Sequence, residues 1–149
     1  MEKSSQEFLN YLDEWQSALT SVKLADVVPD PDRAAILSVD LINGFCTEGV
    51  LSSPRVQAIV EPVVNLMKIA WNYGVRNIVL AQDTHEPDAV EFAAFAPHCV
   101  RGTSEAETVP EIKSLPFFDQ ITVIEKNSIH SGLNTGLETW IKTYPLVDT

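Results

Sequence analysis

The stretch VRNIVLAQDTH, residues 75–85, opens as an apolar run and breaks into an acid, a hydroxyl and an imidazole. A short run of this kind, rich in β-branched residues, reads as a strand buried on both faces, as in a parallel sheet. RAAILSVDLI at 33–42 and QITVIEKNS at 120–128 read the same way. Between the first two runs, Val56, Ile59, Val60, Val63, Met67, Ala70 and Trp71 recur at helical spacing, and Gly74 follows as a C-terminal cap. Pro62 within that pattern marks either a kink or the first turn of the regular helix.

Strands that alternate with helices predict a three-layer α/β/α domain with a mainly parallel sheet and right-handed crossovers. An amphipathic helix is expected over about 4–22, with Phe8, Leu12, Trp15, Leu19 and Val22 on one stripe and Ser4 with Glu7 as a capping box. Thr135 and Glu138 open a last helix whose stripe is Leu137, Trp140, Ile141 and Tyr144. A sheet of three strands is small, and the final helix should feed another strand. Residues 1–149 are therefore expected to form a single domain whose C-terminal strands lie beyond Thr149.

The chain has 149 residues, 45% of them hydrophobic, and a formal net charge of -11. Only 10 Lys and Arg are scattered through it, so a nucleic acid partner is excluded, because phosphate binding needs clustered cations. No apolar run has the length of a membrane helix, and the acidic N-terminus is unlike a secretory signal, so a cytoplasmic protein without a membrane partner is expected. Two cysteines, Cys46 and Cys99, read as free buried thiols in that setting.

Ligands of open parallel sheets bind beyond the carboxyl ends of the strands. Asp40 closes the first predicted strand, Asp83 and His85 the second, and Lys126 the third. Each alone also suits a cap, a turn or a solvated strand end; together on one edge they favour a site. Asp83 and His85 are two residues apart, so on extended backbone their side chains point the same way. His98 follows Pro97 after a loop, and two imidazoles with one carboxylate suit zinc, manganese or iron, with further positions left to water or substrate. His130 reads as a loop histidine.

The order of SVDLINGFC (38–46), AQDTHEPDAVEFAAFAPHCVRGTSEAE (81–107) and VIEKNSIHSGLNTGLETWI (123–141) resembles the isochorismatase-like cysteine hydrolase superfamily. DLINGFC and PHCVRGT are most similar to its nicotinamidase branch. The resemblance implies that Asp40 is a general base, Lys126 the cation that steadies it, and Phe45 an aromatic that packs on the substrate ring. It also implies Asp83, His85 and His98 as ligands of a divalent metal, zinc first and manganese or iron as alternatives. The family nucleophile is a cysteine at the start of a helix after a fourth strand, in a stretch that would follow Thr149; Cys46 and Cys99 match other family positions. Thr84 replaces a tryptophan common between the Asp and the His, and an additional loop histidine of some nicotinamidases is absent.

The expected function is metal-binding, cysteine-dependent hydrolysis of a small amide, nicotinamide to nicotinate and ammonia being the model reaction. One alternative is an isochorismatase-type vinyl ether hydrolase that needs no cysteine. Another is a non-catalytic binding or regulatory protein of the same fold. Apolar helix faces and the N-terminal extension are compatible with a homo-oligomer.

Overall fold

The computed structural model describes residues 2–148. Three strands, β1 (Ala35–Val39), β2 (Asn77–Asp83) and β3 (Thr122–Lys126), form one sheet in the order β1-β2-β3. Both pairings are parallel, as the alternation of strands and helices predicts. The register sets Val39 beside Ala81 and Asp83 beside Lys126, so all three strands end along one edge.

The central strand is buried from Ile78 to Asp83, which explains its nearly unbroken apolar sequence. β1 departs from the expectation of a strand buried on both faces. It lies at the sheet margin, and Leu37 and Val39 are about half exposed while Ser38 is buried. An apolar run records that a strand is hydrophobic, not how many neighbours cover it.

Five helices precede β2. They are α1 (Glu2–Ala18), α2 (Leu24–Val27), α3 (Asn43–Cys46), α4 (Pro54–Gln57) and α5 (Val60–Tyr73); α6 (Pro110–Lys113) and α7 (Leu137–Thr143) follow it. The helical pattern from Val56 to Tyr73 is divided between α4 and α5. A proline ring clashes with the carbonyl four residues earlier, here that of Ala58, so Pro62 is accommodated in the first turn of α5. Ser53 caps α4 by accepting from the Arg55 N–H, and Pro54 takes its first position.

α5 buries Val60, Val64, Met67 and Ala70. Most of these pack with Ile78 and Leu80 of β2 and with Val109, Ile112, Leu115, Phe117 and Ile121 from the β2–β3 connection. Trp71 stacks on Phe117 with ring centroids 4.2 Å apart. A smaller cluster of Val28, Ala34, Ala70 and Val75 closes the opposite end of α5.

The N-terminal helix ends at Ala18, short of Val22, and Phe8, Leu12, Trp15, Leu19 and Val22 are exposed, so their stripe is not buried among the described residues. Ser4, expected as its cap, sits within the helix, and its side chain lies outside the described residues. The α7 stripe is likewise not buried: Ile141 and Tyr144 are exposed, and Leu137 and Trp140 are half-buried. Thr135 does serve the helix start, accepting from the Leu137 N–H at 3.3 Å. At the end of the described chain the Asp148 N–H donates to Arg33 O, and the Arg33 guanidinium pairs with the Asp148 carboxylate. Among the described residues no helix is long and apolar enough to cross a membrane.

Gly74 ends α5 at φ +123°, a conformation side chains rarely adopt, and a Cβ there would meet Pro31 Cγ at 3.0 Å. Gly74→Ala is expected to destabilise the fold by about 1–3 kcal/mol. A lowered urea midpoint with unchanged slope checks this.

Candidate functional site

The carboxyl ends of the strands meet at Lys126. Its side chain is 1% exposed, and its Nζ lies 2.9 Å from Asp40 Oδ2 and in direct contact with Asp83 Oδ1. Asp40 turns out of β1 at φ +60°, where its backbone N–H donates to Ala81 O and its Oδ1 accepts from the Asp83 N–H at 3.0 Å. A non-glycine residue in this region is uncommon, and here two hydrogen bonds hold it.

Burial opposes a charge on Lys126, but hydrogen bonds and attraction from both carboxylates outweigh it and hold the ammonium pKa above its ordinary value. Burial pushes the Asp40 carboxyl up, with Asp83 adding to the effect, against the hydrogen bond and charge of Lys126.

Asp83 uses its two oxygens separately. While Oδ1 faces Lys126, Oδ2 lies 3.7 Å from His85 Nε2. His85 is 1% exposed, and its Nδ1 and Nε2 are the only fully buried side-chain polar atoms without a hydrogen-bond partner among the described residues. Buried polar groups are almost always satisfied, so an orphaned imidazole asks for a ligand.

His98 reaches the same place from a distant part of the chain. The His85 N–H donates to Cys99 O and the Arg101 N–H to His85 O, a single parallel bridge that pins residues 99–101 beside the end of β2. The imidazole centroids of His85 and His98 are then 4.8 Å apart. His98 Nδ1 lies 2.8 Å from Ala96 O, so it donates there and leaves the Nε2 lone pair free.

Donor atoms of Asp83, His85 and His98 lie within 4.8 Å of one another, and all three residues are buried. The orphaned nitrogens of His85 and the fixed tautomer of His98 fit a divalent cation.

Phe45 sits on α3, just beyond Asp40, and is half-buried. It does not line the open cleft of about 550 Å³ beside His85, which is walled by Glu86, Asp88, Glu91 and Asn127. Lys126, Thr84 and Asn127 line a smaller cleft next to it. His130 is an exposed loop residue whose Nδ1 accepts from the Gly132 N–H, as its sequence context suggested.

Two contributors escaped the reading of the sequence. Glu91 Oε1 lies 3.6 Å from His85 Nε2 and 3.4 Å from His98 Nε2. Glu105 accepts from the Cys99 N–H at 2.9 Å and so holds the corner after His98, where Cys99 adopts φ +45°. The available signals were an acid between the two histidines and one shortly after them, but acids are common in so acidic a chain.

Neither cysteine is primed as a nucleophile. Burial, together with Asp83, Glu105 and Asp40, pushes the Cys99 thiol up to about 12 against a smaller pull from Lys126. Burial and then Glu111 raise that of Cys46. Both are free and buried, as their low number suggested.

A model of the isochorismatase domain matches residues 34–144. Nicotinamidase 1 from Arabidopsis thaliana is 33% identical over 100 residues, which span 64% of this chain and 41% of that protein. The N-carbamoylsarcosine amidase of Thermoplasma acidophilum superposes with a TM-score of 0.68 at 25% identity, covering 78% of this chain and 64% of that one. The nicotinamidase PncA of Bacillus subtilis gives a TM-score of 0.62 at 25% identity, covering 74% and 65% respectively. The chain belongs to the isochorismatase family. It spans about two fifths of the plant relative's length and just under two thirds of those of the two structural relatives.

Both thiols are expected to resist a disulfide-exchange reagent at about pH 8 in the folded protein and to react fully once it is denatured. Rapid labelling of native Cys99 would contradict its assignment as a buried, protonated group.

Proposed function

We propose that residues 1–149 form one domain of a metal-binding hydrolase of small amides, with a nicotinamide-like ring as substrate. The observation that carries the reading is the bridge through Asp83. One of its oxygens meets the buried Lys126–Asp40 pair and the other faces the orphaned imidazole of His85. Acid–base residues and candidate metal ligands thus share one edge and one carboxylate. Similarity to a plant nicotinamidase and to two bacterial and archaeal amidases supports the substrate class.

In this reading Asp40 takes the proton of a thiol nucleophile and passes it to the departing ammonia, and its raised pKa suits a group that must both accept and give. Lys126 keeps the carboxylate oriented and offsets the negative charge that gathers during attack. Asp83, His85 and His98 would hold a divalent ion, zinc first, whose charge orients and polarises a ring nitrogen or carbonyl when bound. Phe45, five residues beyond Asp40, would pack on the ring. The nucleophile is assigned to neither Cys46 nor Cys99, both of which stay protonated near neutral pH.

A second reading is that the domain binds the amide without turning it over. Ammonia release from nicotinamide separates the two. Asp40→Asn is expected to lower turnover by about 10²–10⁴-fold with the circular dichroism spectrum unchanged. Near-normal turnover in that variant would refute the base, and ligand binding with no release of ammonia by the parent protein would leave only the binding function. Asp83→Ala and His98→Ala should each lower bound zinc, measured by elemental mass spectrometry, and unchanged stoichiometry in either would refute the ligand set.

A further inference from the structure

We infer that Glu105 is a positioning residue for His98: its carboxylate, by accepting from the Cys99 N–H, fixes the peptide that aims the imidazole. The inference rests on the metal reading above and adds a residue that, in that reading, touches neither the ion nor the substrate.

The N–H that donates to Glu105 Oε2, at 2.9 Å, belongs to the peptide unit joining His98 to Cys99. A peptide unit is planar, so a hydrogen bond to its N–H also sets the plane of the His98 carbonyl and the last backbone torsion of His98. On the other side of Cys99 the next peptide is held by the His85 N–H, which donates to Cys99 O at 3.0 Å. Between these two anchors Cys99 stands at φ +45° and 0% exposed, a conformation that a non-glycine residue keeps only when its surroundings impose it. Without an acceptor the Cys99 N–H would be buried and unpaired, which favours rotation of this peptide and of the imidazole before it.

The carboxylate is itself held in place. Glu105 lies in the 3-10 turn Ser104–Ala106, and Asn43 at the start of α3 grips that segment twice. Its N–H donates to Glu107 O at 2.9 Å and its Nδ2 to Ser104 O at 3.0 Å. Gly49 borders the carboxylate, and a Cβ there would stand 2.5 Å from Glu105 Cδ and 2.6 Å from Oε1. At those distances the end of the side chain has to move. The corner beside His98 is thus tied through one carboxylate to a turn braced on α3, while His85 belongs to the end of the sheet. The bond requires reach and an acceptor rather than a charge, so glutamine can replace glutamate.

Gly102 provides a matched control. It stands at φ +80° against +83° for Gly49, so alanine meets similar backbone strain at both, yet a Cβ on Gly102 has no neighbour within 4 Å.

The test is zinc binding by the full chain, in competition with a chromophoric chelator. Glu105→Ala and Gly49→Ala are each expected to weaken zinc affinity at least about tenfold, while Glu105→Gln and Gly102→Ala stay within about threefold of the parent. Parental affinity in Glu105→Ala or in Gly49→Ala would overturn the inference. Equal losses in the two glycine variants would overturn it as well, because backbone strain alone would then account for the effect. A Glu105→Gln variant as weak as Glu105→Ala would overturn the role as an uncharged acceptor. If Glu105→Ala does not fold, the glycine pair decides. Each of these failures leaves zinc on the parent, lost in Asp83→Ala; a parent that binds no zinc overturns the metal reading and this inference with it.

Discussion

The Lys126 ammonium lies buried between Asp40 and Asp83, and the layout of the whole carboxyl edge follows from that triangle. A lone buried cation would cost several kcal/mol, so both acids must be brought to it. β2 supplies Asp83 by register, in line with Lys126 on β3. β1 cannot supply its acid by register alone, because the strand ends at Val39, and the backbone turns through a left-handed conformation at Asp40 to bring the second carboxylate across. Two negative charges against one positive leave the cluster net anionic.

Another left-handed residue, Cys99, marks a further place where the chain is forced to turn. Its neighbour His98 must point at His85 while its own backbone pairs with the end of β2. Glu105 holds this corner from the amide side, and Gly44 leaves room for it: a Cβ on Gly44 would come within 2.7 Å of the Cys99 sulfur. Buried, glycine-backed and hydrogen-bonded, Cys99 holds the corner next to a candidate ligand, which gives a structural account of a thiol beside that histidine.

Much of this was legible in the residues. The apolar run of β2 announced a central parallel strand, and the two-residue spacing of Asp83 and His85 announced a shared direction, because both signals depend on backbone geometry alone. The strand-terminal positions of Asp40 and Lys126 likewise put them on one edge. What could not be read was anything set by a third body. Helical periodicity located the apolar stripes of α1 and α7 but not what meets them: among the described residues the α1 stripe is exposed and the α7 stripe only partly covered. The margin position of β1 depends on the sheet's order, and Glu91 depends on the path of a loop with no repeat to betray it.

The single bridge between His85 and Val100 has an effect on how the site tolerates change. Backbone hydrogen bonds at its base tie off residues 86–98 as an excursion, so the cost of closing that loop is met by main-chain groups that do not depend on the side chains within it. Length and composition of the excursion can therefore drift while its two anchored histidines stay in place.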